Sequence, residues 1–129
     1  MPDLDYDEIR TWIRKIILIE KYKPGDLNFI FCSDKYIQSL NEKYLNHHYP
    51  TDVLSFDYCV NQQIAGDIFI GVETVILNCK ELNTILLQEF KRVIAHGILH
   101  LIGYDDKTKE DECLIRSKED YYLSLRVTK

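Results

Sequence analysis

The chain has 129 residues, 46% of them hydrophobic and 29% charged, the mix of an ordinary globular protein that buries roughly two thirds of its unfolded surface, so one domain over residues 1–129 is expected. A formal net charge of −5 argues against a general nucleic-acid binder, whose affinity comes from phosphate neutralisation by Lys and Arg, so any RNA contact must use a local basic patch. The acidic start MPDLDYDEIR lacks the basic and apolar regions of a secretory signal, and no apolar run is long enough to span a bilayer, so a cytoplasmic protein without a membrane partner is expected.

Residues 5–21 place Ile9, Trp12, Ile13, Ile16 and Ile17 at i, i+3, i+4, i+7 and i+8, the spacing of a helix that buries one face. Pro24 and Gly25 are expected to break the chain before a strand over 26–32, DLNFIFC. Leu27, Phe29 and Phe31 line one side of that strand, but Ile30 and Cys32 make the other side apolar too, which predicts a strand inside a sheet covered on both faces. Ser33 is a candidate N-cap for a helix from Asp34 to about Tyr44, with Ile37, Leu40 and Tyr44 inward. After LNHHYP (45–50), segments 51–58 and 66–72 alternate in polarity and form an antiparallel hairpin across a loop of about seven residues.

Helices are expected over 73–82 and 86–102, the second with Val93, Ile94, Gly97, Ile98 and Leu101 facing the core. The alternating charges of KTKEDE (107–112) read as the solvated start of a last helix running to about Arg126, with Leu114, Ile115, Tyr121, Tyr122 and Leu125 as its apolar residues. The fold class is α+β, with three clear strands and about five helices. Cys32, Cys59, Cys79 and Cys113 are widely spaced with no CxxC pair, which suggests reduced thiols and neither a disulfide framework nor a zinc ribbon.

The stretch 93–106, VIAHGILHLIGYDD, carries the chemistry. On a helix turning about 100° per residue, His96 and His100 project from one face and can share a metal ion. Gly103 can take the positive-φ conformation that ends a helix, so the chain reverses and returns Asp106 toward the histidines. Two nitrogens and one carboxylate oxygen supply three ligands of tetrahedral zinc and leave the fourth position open to water, as in catalytic rather than structural sites. The same donors also suit iron, manganese or nickel.

The segment HGILHLIGYDD closely resembles the signature of the YbeY family of bacterial endoribonucleases, and the resemblance extends to LNEKYLNHHYPTDVLSFDY (40–58) and GDIFI (66–70). It implies a YbeY-type, metalloprotease-like fold: a four-stranded mixed sheet flanked by helices, whose first strand precedes the first helix. Here that helix starts almost at Met1, so the strand is absent or very short. The resemblance also implies metal-dependent cleavage of single-stranded RNA, with precursor ribosomal RNA as substrate and the small ribosomal subunit and its assembly factors as partners.

Two positions depart from the family pattern. Asp106 stands where a third metal-binding histidine is expected, and Leu45 stands where an arginine suited to holding phosphate follows the tyrosine matching Tyr44. Lys43, His47, His48 and Ser55 are the candidate substrate contacts that remain in the 43–55 segment. The spacing HxxxHxxGxxD also matches zinc proteases, but those place a glutamate directly after the first histidine, where this chain has Gly97. A metal-stabilised protein that binds the ribosome without cleaving RNA is the non-enzymatic alternative, favoured by the acidic charge and by Leu45.

Overall fold

The computed structural model describes residues 5–45 and 53–125. Helix α1 (Tyr6–Ile19) starts where the Asp5 side chain accepts a hydrogen bond from the Glu8 N–H at 3.1 Å, and it buries Ile9, Trp12, Ile13, Ile16 and Ile17. This is the face its periodicity predicts. Lys21, at φ 69°, turns the chain into β1 (Lys23–Cys32).

Strand β1 departs from expectation twice. Pro24 and Gly25 lie inside it, at a register irregularity between Pro24 and Leu27, because a residue without an N–H is tolerated at an irregular point of an edge strand. Among the described residues three strands order as β1-β3-β2, so β1 is at the edge of this sheet and the inner place goes to β3 (Gln63–Gly71), which buries Ile64, Ile68 and Ile70. The composition of a strand's two faces reports what covers the sheet. It does not report which strands pair.

Ser33 caps α2 (Asp34–Leu45), its Oγ accepting from the Tyr36 N–H at 3.2 Å, and Ile37 is fully buried. Tyr44, also expected inward, has a side chain outside the described residues. Strand β2 (Val53–Asp57) runs antiparallel to β3, and β1 runs parallel to it, giving a mixed sheet. The expected seven-residue loop is shorter: Val60 bridges Gln63, and Asn61 and Gln62 turn at φ 52° and 67°. Two consecutive positive φ values match the strand twist of a tight hairpin, and nothing in that polar segment except Asn61 signals them.

Helix α3 (Val72–Leu82) ends at Asn83 in the left-handed conformation, and α4 (Leu86–Ile102) follows. The buried face of α4, including Val93, Ile94, Gly97, Ile98 and Leu101, packs on one face of the sheet. A Cβ on Gly97 would sit 3.0 Å from Ile68 of β3, so the missing side chain is what lets the helix lie this close. The other sheet face carries Phe69, whose ring is 6.3 Å from Tyr36 of α2.

Helix α5 (Lys109–Ser124) is capped by Thr108 and packs on α4. Its buried residues are Ile115, Glu119 and Tyr122. Leu114 and Tyr121, two of the apolar residues of this helix, are 48% and 50% exposed, because Glu119 rather than Leu114 or Tyr121 completes the inward stripe at i, i+4, i+7. The Trp12 Nε1–H donates to the Tyr122 carbonyl at 2.8 Å, tying α1 to α5. No helix among the described residues is long and apolar enough to cross a membrane.

Candidate metal centre

His96 and His100 emerge at the rim of the buried face of α4, with side chains 24% and 27% exposed. Their Nε2 atoms are 2.9 Å apart. Gly103 ends the helix at φ 126°, its N–H shared between the Leu99 and His100 carbonyls. That conformation is strained for any residue with a Cβ. The chain then turns back and brings Asp106 Oδ2 to 3.4 Å from His100 Nε2 and 3.6 Å from His96 Nε2. The donors of all three residues lie within 4.8 Å of one another. Asp106 is not consumed as a helix cap, since Thr108 Oγ1 accepts from the Asp111 N–H at 3.0 Å.

The outer edge of the His96 ring is also held. Its Nδ1 lies 2.7 Å from Glu119 Oε2, in a side chain only 7% exposed. Glu119 receives Arg92 Nη1 at 3.0 Å, and Arg92 Nη2 donates to Asp120 at 2.7 Å. Burial pushes His100 below the ordinary histidine range and the neighbouring His96 adds to this, against an opposing pull from Asp106. A histidine biased to the neutral form keeps a lone pair available at neutral pH. Two imidazole nitrogens facing each other and a carboxylate oxygen form a donor set that fits a divalent cation, zinc among others.

The other sequence candidates are distributed differently. Ser55 Oγ would lie 3.4 Å from a Cβ on Gly97, which puts it in the packing between β2 and α4. Lys43 is exposed in the last turn of α2. His47, His48 and the side chain of Leu45 fall outside the described residues. At Gly97, where a zinc protease carries its glutamate, any side chain would require Ile68 to shift.

A cleft of about 210 Å³ opens beside His96, with Asn78, Arg92, Arg116 and Glu119 in its walls. Arg92, Arg116 and Glu119 were not among the sequence candidates. Only the i, i+4 spacing of Arg92 and His96 on α4 hinted at them, since the α5 partners depend on how the two helices dock. A larger hollow of about 510 Å³ between α1 and β1 contains none of the candidate ligands.

Comparison with known proteins gives a consistent result. The family model described as Endoribonuclease YbeY matches residues 2–125. The chain is 46% identical over 123 residues to the Endoribonuclease YbeY of Flavobacterium johnsoniae, covering 95% of this chain and 88% of that one. With the Endoribonuclease YbeY of Cytophaga hutchinsonii it shares 47% identity over 120 residues, 92% of this chain and 84% of the other. The solution structure of a Thermotoga maritima protein is similar with a TM-score of 0.62 and 29% identity, covering 91% of this chain and 77% of that chain.

Proposed function

The chain belongs to the YbeY family of endoribonucleases, and from that premise we propose that it cleaves single-stranded RNA at a zinc ion held by His96, His100 and Asp106. The observation that carries this reading is the convergence of two imidazole nitrogens and one carboxylate oxygen at the rim of a cleft. Zinc, when bound, supplies a Lewis acid that polarises a phosphoryl oxygen or activates water.

The chain's own residues do the rest. His96 and His100 present lone pairs from consecutive turns of one rigid helix, and the Gly103 turn carries Asp106 to the open side. Arg92 is engaged by two carboxylates. Arg116, exposed on the wall of the same cleft, is the better cation for an RNA phosphate, the role that Leu45 cannot fill. Lys43, His47 and His48 are further candidate contacts, and Ser55 serves packing. The substrate is precursor ribosomal RNA, the partners are the small ribosomal subunit and its assembly factors, and the chain acts as one domain in the cytoplasm.

A second reading, a metal-stabilised ribosome-binding protein without cleavage, draws on the net charge of −5 and on Leu45. Cleavage of an end-labelled single-stranded RNA by zinc-loaded protein, beside identically purified His100→Ala, separates the two. Cleavage by the wild type alone, with duplex RNA spared, is the expected result. Equal cleavage by both, or none by either, favours the non-catalytic reading.

A further inference from the structure

We infer that Glu119 is the positioning residue of the metal centre: its carboxylate fixes the proton of His96 on Nδ1 and leaves the Nε2 lone pair facing the space between His96, His100 and Asp106. This rests on the metal reading above, and goes beyond it by assigning a role to a residue outside the donor set.

Several observations carry it. Glu119 sits on the inward stripe of α5 between Ile115 and Tyr122, with a side chain 7% exposed. A carboxylate in that position is costly unless it is paired and hydrogen-bonded. Its partners come from one face of α4: His96 Nδ1 at 2.7 Å from Oε2 and Arg92 Nη1 at 3.0 Å from Oε1. The two are four residues apart, so a single carboxylate on α5 meets both. Arg92 offsets the charge of Glu119, while Asp120 holds its second arm.

The consequence for His96 follows from ring chemistry. A neutral imidazole carries one proton, and a carboxylate that accepts from Nδ1–H leaves the lone pair on Nε2. That nitrogen faces His100 Nε2 at 2.9 Å and Asp106 Oδ2 at 3.6 Å. Free imidazole side chains prefer the proton on Nε2, which here would point a hydrogen at the metal position. Glu119 therefore reverses an intrinsic preference and stops the ring from turning. It stays outside the donor set because Nδ1 and Nε2 lie on opposite edges of the ring.

Histidine ¹H–¹⁵N correlation spectra of the metal-free protein read the tautomer, and zinc competition against a chelator reads the affinity, in wild type, Glu119→Gln and Glu119→Ala. Wild type should show His96 protonated on Nδ1. The Gln variant, whose amide oxygen still accepts, should keep that tautomer and hold zinc within about threefold of wild type, whereas the Ala variant should move the proton to Nε2 and bind zinc about 10- to 100-fold more weakly. If Glu119→Ala leaves a cavity that unfolds the protein, Glu119→Met makes the same comparison at similar volume. A purely structural Glu119 would lower the Tm in both variants while tautomer and zinc affinity stayed unchanged, and that result overturns the inference. Wild type that fails to bind zinc would defeat the metal reading, whereas the tautomer measurement needs no metal and judges Glu119 separately.

Discussion

On the proposed reading, Asp106 would set the charge of the metal centre: two neutral imidazoles and one carboxylate would leave a divalent ion with a net charge of about +1, where three imidazoles would leave about +2, so the ion would activate water less strongly. Replacing Asp106 by His should therefore move the pH optimum of RNA cleavage downward, measured as initial rate against pH for zinc-loaded proteins. An optimum that stays in place contradicts this role for the carboxylate. The three donors were legible in the sequence because each depends on local rules: helical spacing brings His96 and His100 together, and a glycine turn returns the chain within a few residues. Glu119 was not legible, since a charged residue in a charge-rich helix reads as solvated until the docking of α5 on α4 turns it inward.

At the scale of elements, α4 carries the site and its neighbours hold it in place. The end of α1 is tied down by Glu20, whose carboxylate accepts from Tyr104 Oη at 2.6 Å, from Lys118 Nζ at 3.3 Å, and from Tyr122 Oη. Tyr104 lies in the turn between His100 and Asp106, and the other two donors lie on α5, so this cluster joins α1, the metal turn and α5. Burial alone would raise the carboxyl of Glu20, yet the three donors hold it below its ordinary value of 4.5. A depressed folded-state value means that its stabilisation is present above pH 4.5 and is lost as pH falls through the folded value. Glu20→Gln should cost about 1–3 kcal/mol by urea denaturation at pH 7, with the gap to wild type narrowing as pH falls below 4.5. A gap that does not change with pH contradicts the account.

The element boundaries show the same division between local and tertiary information. Helix α4 was readable to its ends because its periodicity and terminal Gly103 agree. The edge position of β1 and the tight turn at Asn61 and Gln62 were not, since strand order and turn shape are set by pairing across the sheet. Likewise, Leu114 and Tyr121 are apolar but lie outward, because Ile115, Glu119 and Tyr122 form the buried face of α5.

For the whole molecule, one buried cluster contains residues of α1, β3, α3, α4 and α5, and the candidate centre sits at its rim, where rigid packing meets an open cleft. A net charge of −5 makes long-range attraction to RNA weak, so on the proposed reading recognition would rest on Arg116 and the metal, and binding should be local. The most direct test is zinc titration into metal-free protein, with bound metal and RNA cleavage rate read from the same samples. The account predicts one zinc per chain, a rate that rises in step with occupancy, and loss of both in His100→Ala and Asp106→Ala. A cleavage rate indifferent to zinc occupancy, or full zinc binding by those variants, would contradict it.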